Sequence, residues 1–236
     1  MNLILLFDGD FVSDDQVRLT GRRLQHVTNV HRAAVGDELV VGAAGGKIGT
    51  GVVTRLDQEA LELRVTLRDD PPEPLPLTLI LALPRPKVLN RVIAGATSLG
   101  VKRVFLINAW RVEKSYWKSP KLSDDNLLLQ RILGLEQARD TILPAIELRR
   151  FFRTFVEDEL PGIAEDSLKL VAHPDAGKAA TGVAAVQRVT LAIGPEGGFI
   201  AEEVASLERV GFVPVTLGAR VLRVETAVAA LIGRLY

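Results

Sequence analysis

The sequence predicts an α/β protein with a mostly parallel sheet, preceded by a small β-barrel. Three observations lead to this fold class. Short apolar runs of β type fill residues 1–69, the proline-rich stretch DDPPEPLP follows, and apolar runs then alternate with helical patterns. Alternating strands and helices are typical of a parallel sheet covered by helices. Closely spaced short strands with turn residues between them are typical of a small sandwich or barrel.

The predicted barrel covers residues 1–70. Gly45 and Gly46 separate two of its apolar runs in the manner of a hairpin turn. Leu24, Val27 and Val30 recur at helical spacing, so one helix is expected over residues 20–32. Strands are expected at residues 3–7, 38–41, 47–56 and 60–67.

The prolines at residues 71–76 predict a linker, because each proline fixes φ and removes a backbone donor. A second domain should then cover residues 77–236. Its predicted helices are residues 87–99, which Gly100 ends, and a segment that Ser123 caps. Its predicted strands are residues 77–83, 104–107, 145–148, 168–172 and 189–193.

Composition excludes several classes of protein. The chain has no cysteine, so disulfides and thiolate metal sites are excluded, and its three histidines are too scattered for a metal signature. No apolar run approaches the length of about 18 residues that indicates a membrane span. The first residues lack a basic region and a cleavage site. We expect a cytoplasmic protein that does not enter a membrane.

Charge is unevenly distributed, although the formal net charge is zero. Residues 85–121 are rich in Lys and Arg, with Glu113 as the only acid, while acids collect around residues 57–73 and 157–166. Phosphate attraction is local, so this asymmetry is compatible with a basic face that binds nucleic acid. The alternative is a solvated helix face followed by a loop.

A glycine-rich turn, Gly194 to Gly198 (GPEGG), follows the apolar run at residues 189–193 and precedes a helical pattern that extends to Val210. Such a turn exposes backbone N–H groups and lets a ligand approach closely. A valine at Gly197 is expected to intrude where the ligand meets the main chain. The spacing matches neither a dinucleotide fingerprint nor a P-loop, and a plain tight connection is the alternative.

The turn GPEGGF and the later stretch LGARVLRVETA together carry a more specific signal. Their order and spacing resemble the 16S rRNA (uracil(1498)-N(3))-methyltransferase family, of the SPOUT class. The resemblance is dense over residues 170–236 and looser elsewhere. It implies a C-terminal trefoil knot, a PUA-like N-terminal barrel that binds RNA, S-adenosylmethionine as cofactor, and ribosomal RNA or the small ribosomal subunit as partner.

The resemblance also implies which loops hold the cofactor. They follow three successive strands, and Leu217 and Leu222 are expected to pack on the adenine ring. The implied cofactor-binding residues are Ala172, His173, Gly194, Pro195, Glu196, Gly197, Gly198, Leu217, Gly218 and Leu222.

Arg220, Arg223 and Glu225 are the candidate catalytic residues. Uracil N3 must lose a proton before it attacks a methyl group, and the resulting charge spreads onto the flanking carbonyl oxygens. The site therefore needs a proton acceptor, assigned to Glu225, and cations, assigned to the two arginines. An acid stabilising the start of the last helix and ordinary ion pairs are the alternatives.

Basic side chains in both predicted domains are candidates for contacts to RNA phosphates. Arg22, Arg23 and Arg32 lie in the predicted barrel, with His31 beside them. Lys87, Arg111, Lys114 and Lys118 lie in the basic stretch. Exposed charges with no partner are the alternative for any one of them.

The chain departs from the family pattern at three places. Asn90 stands where the family carries charged residues, Asp140 replaces an arginine, and the loop after Asn108 lacks the usual Glu-Arg-Ser. These departures leave the expected fold and cofactor intact and concern the RNA target.

The last helical pattern, residues 227–235, is apolar almost all round, which predicts that it is buried. The resemblance implies a homodimer through this helix, and burial against the chain's own sheet is the alternative. Three other functions stay open. They are methylation of another RNA position or a ribose 2′-oxygen, RNA binding without catalysis, and a nicotinamide dehydrogenase, which the missing fingerprint disfavours.

Overall fold

The protein is described from a computed structural model, which covers residues 2–184 and 186–236. Its backbone contacts divide the chain into two compact units. The first comprises the chain up to Glu73 together with Ile132–Leu143. The second comprises Pro74–Arg131 and Pro144–Tyr236. No pattern in the sequence indicates that residues 132–143 belong with the N-terminal unit.

The first unit is built on a six-stranded sheet in the order β1-β4-β5-β6-β3-β2. The β1–β4 pair is parallel and the other pairs are antiparallel. Alternate strand residues such as Val17, Leu19, Leu61 and Leu63 are fully buried and form the core of the unit. The strands are β1 (Ile4–Leu6), β2 (Phe11–Ser13), β3 (Gln16–Leu19), β4 (Glu38–Ala43), β5 (Ile48–Leu56) and β6 (Leu61–Asp69).

A helical segment directly after β3 packs on this sheet. Helix α1 (Gly21–His26) continues as a π-helical turn, Val27–His31, and ends at Arg32 in the left-handed conformation with φ 52°. The predicted helix and the four predicted strands are present. Strands β2 and β3 escaped prediction because they are short and are joined through Asp14 and Asp15, which carry no apolar pattern.

The second unit is built on a six-stranded sheet in the order β12-β10-β11-β7-β8-β9. Every neighbouring pair in it is parallel, as the alternation of strands and helices predicts. Strand β11 lies near the centre and is buried along its whole length. The strands are β7 (Leu77–Ala82), β8 (Arg103–Ile107), β9 (Ala145–Arg149), β10 (Leu168–Ala172), β11 (Val189–Ile193) and β12 (Val213–Val215).

The helices of the chain after residue 77 connect these strands. Proline 86 occupies the first position of α2, where its missing N–H costs nothing, and Gly100 ends that helix with φ 88°. The Ser123 hydroxyl accepts a hydrogen bond from the Asn126 N–H, as predicted for a cap. The helices are α2 (Pro86–Ser98), α3 (Asp124–Ala138), α4 (Phe152–Thr154), α5 (Leu160–Ile163), α6 (Ala201–Arg209) and α7 (Val224–Leu235); the π-helical turn Phe155–Glu159 joins α4 to α5.

Helix α7 packs against α2 within the same chain. Val228, Leu231, Ile232 and Leu235 are each at most 2% exposed. The second unit therefore covers these four side chains by itself, and the homodimer through this helix stays a prediction. Ala229 and Gly233 lie on the exposed side of the helix.

The connection from β10 to β11 contacts the chain on both sides of α7. On one side the Ala180 N–H donates to Thr216 O and the Thr216 N–H donates to Lys178 O. On the other side the Val183 N–H donates to Leu235 O, and Arg234 Nε donates to Ala180 O at 3.2 Å. The last residues of the chain thus lie against this connection.

No helix within the described residues is long and apolar enough to cross a membrane.

Candidate functional site

A cavity of ≈ 300 Å³ opens at the carboxyl ends of β10, β11 and β12. In open α/β sheets, ligands bind beyond the carboxyl ends of the strands. All three loops that the sequence assigned to the cofactor contribute to its wall. Of the predicted cofactor residues, Ala172, His173, Gly194, Pro195, Glu196, Gly197, Gly198, Leu217 and Leu222 line the cavity.

Gly218 is the predicted cofactor residue that does not line the cavity wall. Its φ of 111° belongs to the left-handed region that favours glycine. Its N–H donates to Thr216 Oγ1 at 3.1 Å, and the one proton of that hydroxyl can be donated to Gly218 O at 3.1 Å or to Pro174 O at 3.3 Å. The Thr216 N–H also donates to Lys178 O, in the connection that follows β10. Thr216 therefore ties the loop after β12 to the loop after β10. Thr216 was not among the predicted site residues, although a polar residue directly after a strand was a usable signal.

The turn after β11 needs glycine at two positions for different reasons. A Cβ at Gly194 would lie 2.7 Å from the backbone nitrogen of Phe199, so the turn closes too tightly for a side chain. Gly198 has φ 72°, and its N–H donates to Pro195 O at 2.7 Å. The shape of the turn therefore depends on both residues.

Gly197 lies against Arg111. A Cβ there would meet Arg111 Cδ at 2.8 Å, so a side chain at this position would have to displace the end of the arginine. Arg111 Nη1 donates to Gly197 O. The expectation that a side chain at Gly197 intrudes on a ligand stays a prediction.

Two carboxylates hold the loops around the turn. Glu196 Oε1 accepts a hydrogen bond from the Arg85 N–H at 3.0 Å, next to the start of α2. Glu203, only 7% exposed, accepts from the Ile200 N–H at 3.0 Å and from the Trp110 N–H at 2.7 Å. Glu203 was not among the predicted site residues, since its partner Trp110 lies 93 residues away.

The segment that leads into α7 offers unpaired backbone donors. Within the described part of the chain, no acceptor faces the backbone N–H groups of Leu217 and Leu222. Both side chains line the cavity and both are 37% exposed. A group with hydrogen-bond acceptors and an apolar ring would satisfy these amides and cover these side chains.

The three candidate catalytic residues lie close together in the chain but differ in environment. Arg220 lines the cavity and is exposed. Arg223 is exposed at the N-cap of α7. Glu225 lies in the first turn of α7 and accepts a hydrogen bond from Arg91 Nη2 at 3.2 Å. The structure therefore brings Arg220 to the cavity and gives Glu225 a cationic partner that the sequence did not reveal.

The predicted RNA-binding residues of the second unit are exposed cations. Lys87 lies in the first turn of α2. Lys114 and Lys118 are the first and last residues of a short 3₁₀ helix, Lys114–Lys118. Arg111 contacts the glycine-rich turn, as described above.

Of the three arginines predicted to bind RNA in the first unit, two are held in ion pairs within that unit. Arg22 makes a bidentate pair with Glu136 at 2.8 and 2.9 Å, and Glu136 is only 1% exposed. Arg23 makes a bidentate pair with Asp10 at 2.5 and 2.6 Å and also donates to Leu5 O. Arg32 is exposed. Arg23 therefore has a structural role that its sequence context did not indicate.

The departures from the family pattern have local partners. Asn90 and Asn126 exchange hydrogen bonds at 3.3 and 3.0 Å, which join α2 to α3. Asp140 is buried, and its Oδ1 accepts from the Ile142 N–H at 2.9 Å. No group of three or more His, Asp or Glu side chains within residues 2–184 and 186–236 is arranged to hold a metal ion.

The sequence profile of a protein family, described as an RNA methyltransferase domain, matches residues 71–236. The chain belongs to this RNA methyltransferase family. Its match covers the whole parallel sheet and all three loops around the cavity.

Relatives of this RNA methyltransferase align over most of its length. The ribosomal RNA small subunit methyltransferase E of Mycobacterium bovis is 31% identical over 216 residues, 88% of this chain and 81% of the relative. The protein of the same name from Treponema pallidum is 29% identical and covers 96% of this chain and 88% of its own.

Solved structures have the same architecture. A methyltransferase from Legionella pneumophila in complex with the bound cofactor S-adenosylmethionine superimposes with a TM-score of 0.76 at 26% identity, covering 99% of this chain and 96% of that one. A ribosomal RNA small subunit methyltransferase E from Neisseria gonorrhoeae has the same TM-score at 23% identity and covers 99% and 95%. The fold of this RNA methyltransferase is therefore shared along the whole chain.

Proposed function

We propose that the protein transfers a methyl group from S-adenosylmethionine to N3 of a uridine in small-subunit (16S) ribosomal RNA. The observation that carries this proposal is the cavity at the ends of β10, β11 and β12, walled by the loops that the family resemblance assigns to the cofactor. The names of the Mycobacterium bovis and Treponema pallidum relatives, and the cofactor in the Legionella pneumophila structure, support it.

The residues of the cavity fit S-adenosylmethionine. The side chains of Leu217 and Leu222 offer apolar surface to an adenine ring, and their unpaired N–H groups offer donors to its nitrogens or to the ribose. Glycines 194 and 198 keep the backbone of the opposite wall free of side chains. When bound, S-adenosylmethionine supplies an electrophilic methyl group on a sulfonium sulfur, and the rest of the cofactor is the leaving group.

The chain's own residues would then prepare the base. Uracil N3 carries a proton at neutral pH, and Glu225 is the proposed acceptor, directly or through water. Arg220, at the cavity wall, and Arg223, at the start of α7, are the proposed cations for the uracil oxygens or a nearby phosphate. Arg91 orients the Glu225 carboxylate through its hydrogen bond at 3.2 Å.

RNA binding is proposed for both parts of the chain. Residues 1–70 would form a PUA-like barrel, with Arg32 as its proposed phosphate contact and Arg22 as a weaker candidate because of its pair with Glu136. Residues 71–76 would be a linker, and residues 77–236 the SPOUT domain, with Lys87, Arg111, Lys114 and Lys118 as phosphate contacts. Arg23 is left out, since Asp10 and Leu5 occupy its guanidinium.

A C-terminal trefoil knot is also proposed. It is supported by the hydrogen bonds from the β10–β11 connection to Thr216 before α7 and to Leu235 at its end. The homodimer through α7 is proposed on the family resemblance alone. The exposed side of the helix, around Ala229 and Gly233, would be its contact. A cytoplasmic location follows from the proposed substrate.

The test is transfer of labelled methyl from S-adenosylmethionine to small ribosomal subunits that lack the modification, followed by mapping of the modified nucleotide. We expect one N3-methyluridine. Arg220→Ala should lower the rate at least about tenfold, and Arg209→Ala, a change of the same type in α6, should leave it unchanged.

Two results would contradict the proposal in different ways. Label on a ribose 2′-oxygen or on another base would identify a different RNA methyltransferase. Cofactor and RNA binding without transfer to either subunit or to naked RNA would identify a non-catalytic RNA-binding relative.

A further inference from the structure

The loop after β8 presents a large aromatic side chain to solvent. Trp110 is 79% exposed, and Phe151, after β9, is 76% exposed. Other aromatic side chains of the second unit, such as Phe105, Phe155 and Phe199, are buried. Tryptophan is usually well covered in folded proteins, so these two exposures need an explanation.

The exposure of Trp110 comes from a firmly held backbone. The buried Glu203 carboxylate accepts its N–H at 2.7 Å. On either side of the exposed pair Trp110 and Arg111, Ala109 and Val112 are buried, and the Val112 N–H donates to Ala109 O at 3.0 Å. The loop therefore fixes the backbone at Trp110 and leaves the indole exposed to solvent.

Trp110 and Phe151 follow neighbouring strands at the same edge of the sheet. Strands β8 and β9 are parallel neighbours in which Ile107 pairs with Arg149. The register continues one step further, since the Asn108 N–H donates to Arg149 O at 2.9 Å. Both aromatic residues follow within two residues of that hydrogen bond, and Arg111 contacts the turn at the cavity.

Cations lie close in the chain to the two aromatic side chains. Arg150 directly precedes Phe151, and its guanidinium lies 5.4 Å from the ring centre of Trp117. Trp117 Nε1 in turn donates to Asn108 Oδ1 at 2.9 Å. Lys118 follows, and the nearby acid, Glu113, accepts hydrogen bonds from Ser115 and Tyr116. Exposed aromatic rings among cations are the features that bind single-stranded nucleic acid.

We propose that Trp110 and Phe151 are stacking platforms for unpaired bases of the RNA substrate, next to the base that is methylated. Arg111, Lys118 and Arg150 would hold the phosphates of the same strand. The proposal rests on the proposed RNA methylation and adds that the target is read from a single-stranded segment. Bases of any sequence can stack, so the platform would position the strand without choosing its sequence.

The test compares two probes of equal charge, an oligouridine and an abasic RNA of the same length. The wild-type protein should bind oligouridine at least about fivefold more tightly, since stacking contributes about 1–3 kcal/mol per base. Trp110→Ala combined with Phe151→Ala should abolish this preference and leave abasic binding unchanged. Trp110→Phe should keep most of it. Val12→Ala, which removes a 63% exposed apolar side chain from β2, is the control.

The results separate this inference from the proposed function. A double variant that prefers oligouridine as the wild type does, or a wild type with no preference, would overturn the stacking role even if methyl transfer is intact. The double variant could lose the preference for oligouridine while neither it nor the wild type transfers methyl. That result would support the stacking role and refute the proposed methylation. A double variant that changes the oligomeric mass and not the preference would make the two rings a protein contact, which also overturns the proposal.

Discussion

Single residues decide the shape of the glycine-rich turn, and Gly194 and Gly197 do so differently. A methyl group at Gly194 would meet backbone, whereas one at Gly197 would meet the flexible end of Arg111. We expect Gly194→Ala to lower the unfolding free energy by about 1–3 kcal/mol and to weaken S-adenosylmethionine binding. Gly197→Ala should cost less than about 1 kcal/mol. Urea denaturation and calorimetry measure the two effects, and equal losses for both variants would contradict this reading of the turn.

The ion pair of Arg23 is a second prediction at this scale. Its side chain is 18% exposed and that of Asp10 is 11% exposed, so removing one partner leaves a charge with little water. Arg23→Ala should lower the unfolding free energy by about 3 kcal/mol.

Arg32→Ala is the matched control for this ion pair. Its side chain is exposed, so its removal should change the unfolding free energy by less than about 0.5 kcal/mol. It should instead weaken RNA binding. If urea denaturation gives both variants the same free energy of unfolding, the ion pair of Arg23 with Asp10 does not contribute significantly to stability.

At the scale of elements, the 3₁₀ helix Lys114–Lys118 carries two exposed lysines. If both contact phosphate, replacing them with alanine should reduce the salt dependence of RNA binding by roughly 0.7 per contact in the slope of log K against log salt. The control is the double variant Lys47→Ala with Arg64→Ala, which removes the same charge. Lys47 directly precedes β5 and Arg64 lies in β6, and each of these cations lies 4.0 Å from an aspartate. A slope that stays at the wild-type value in the Lys114 and Lys118 variant would leave those lysines as surface charge.

The elements of the second unit were largely predictable because each is local. Apolar runs marked β7, β8, β9, β10 and β11, and the glycine-rich turn marked one wall of the cavity. Pairings over long sequence distances were not predictable. Arg22 with Glu136, separated by 114 residues, and Trp110 with Glu203, separated by 93, depend on how the chain folds back.

The burial of α7 was also only partly predictable from the sequence. Its composition correctly indicated a buried helix, but composition does not say which surface covers it. The cover is the chain's own α2 and sheet, as the exposures of Val228 and Leu231 show.

At the scale of the whole molecule, α7 now gives a sharper test of the proposed dimer. Leu231→Asp places a charge in the core of one chain, so it should unfold the second unit instead of separating intact subunits. Ala229→Arg alters the exposed side of the helix. It should leave the thermal midpoint within a few degrees of the wild type and, if the dimer uses this face, halve the mass in light scattering. A wild type that is monomeric and fully active would refute the dimer.

The contacts at the end of the chain also have a consequence for folding kinetics. The Tyr236 hydroxyl lies 2.9 Å from Gln187 O, 49 residues away, and 3.2 Å from Pro76 O, 160 residues away, and it can donate its one proton to either. Leu235 O accepts from the Val183 N–H. Contacts so distant in sequence close long loops, and the entropy lost in closing them slows folding. The C-terminal tyrosine should therefore be among the last side chains to reach its native surroundings. Truncating it should speed unfolding much more than it slows refolding.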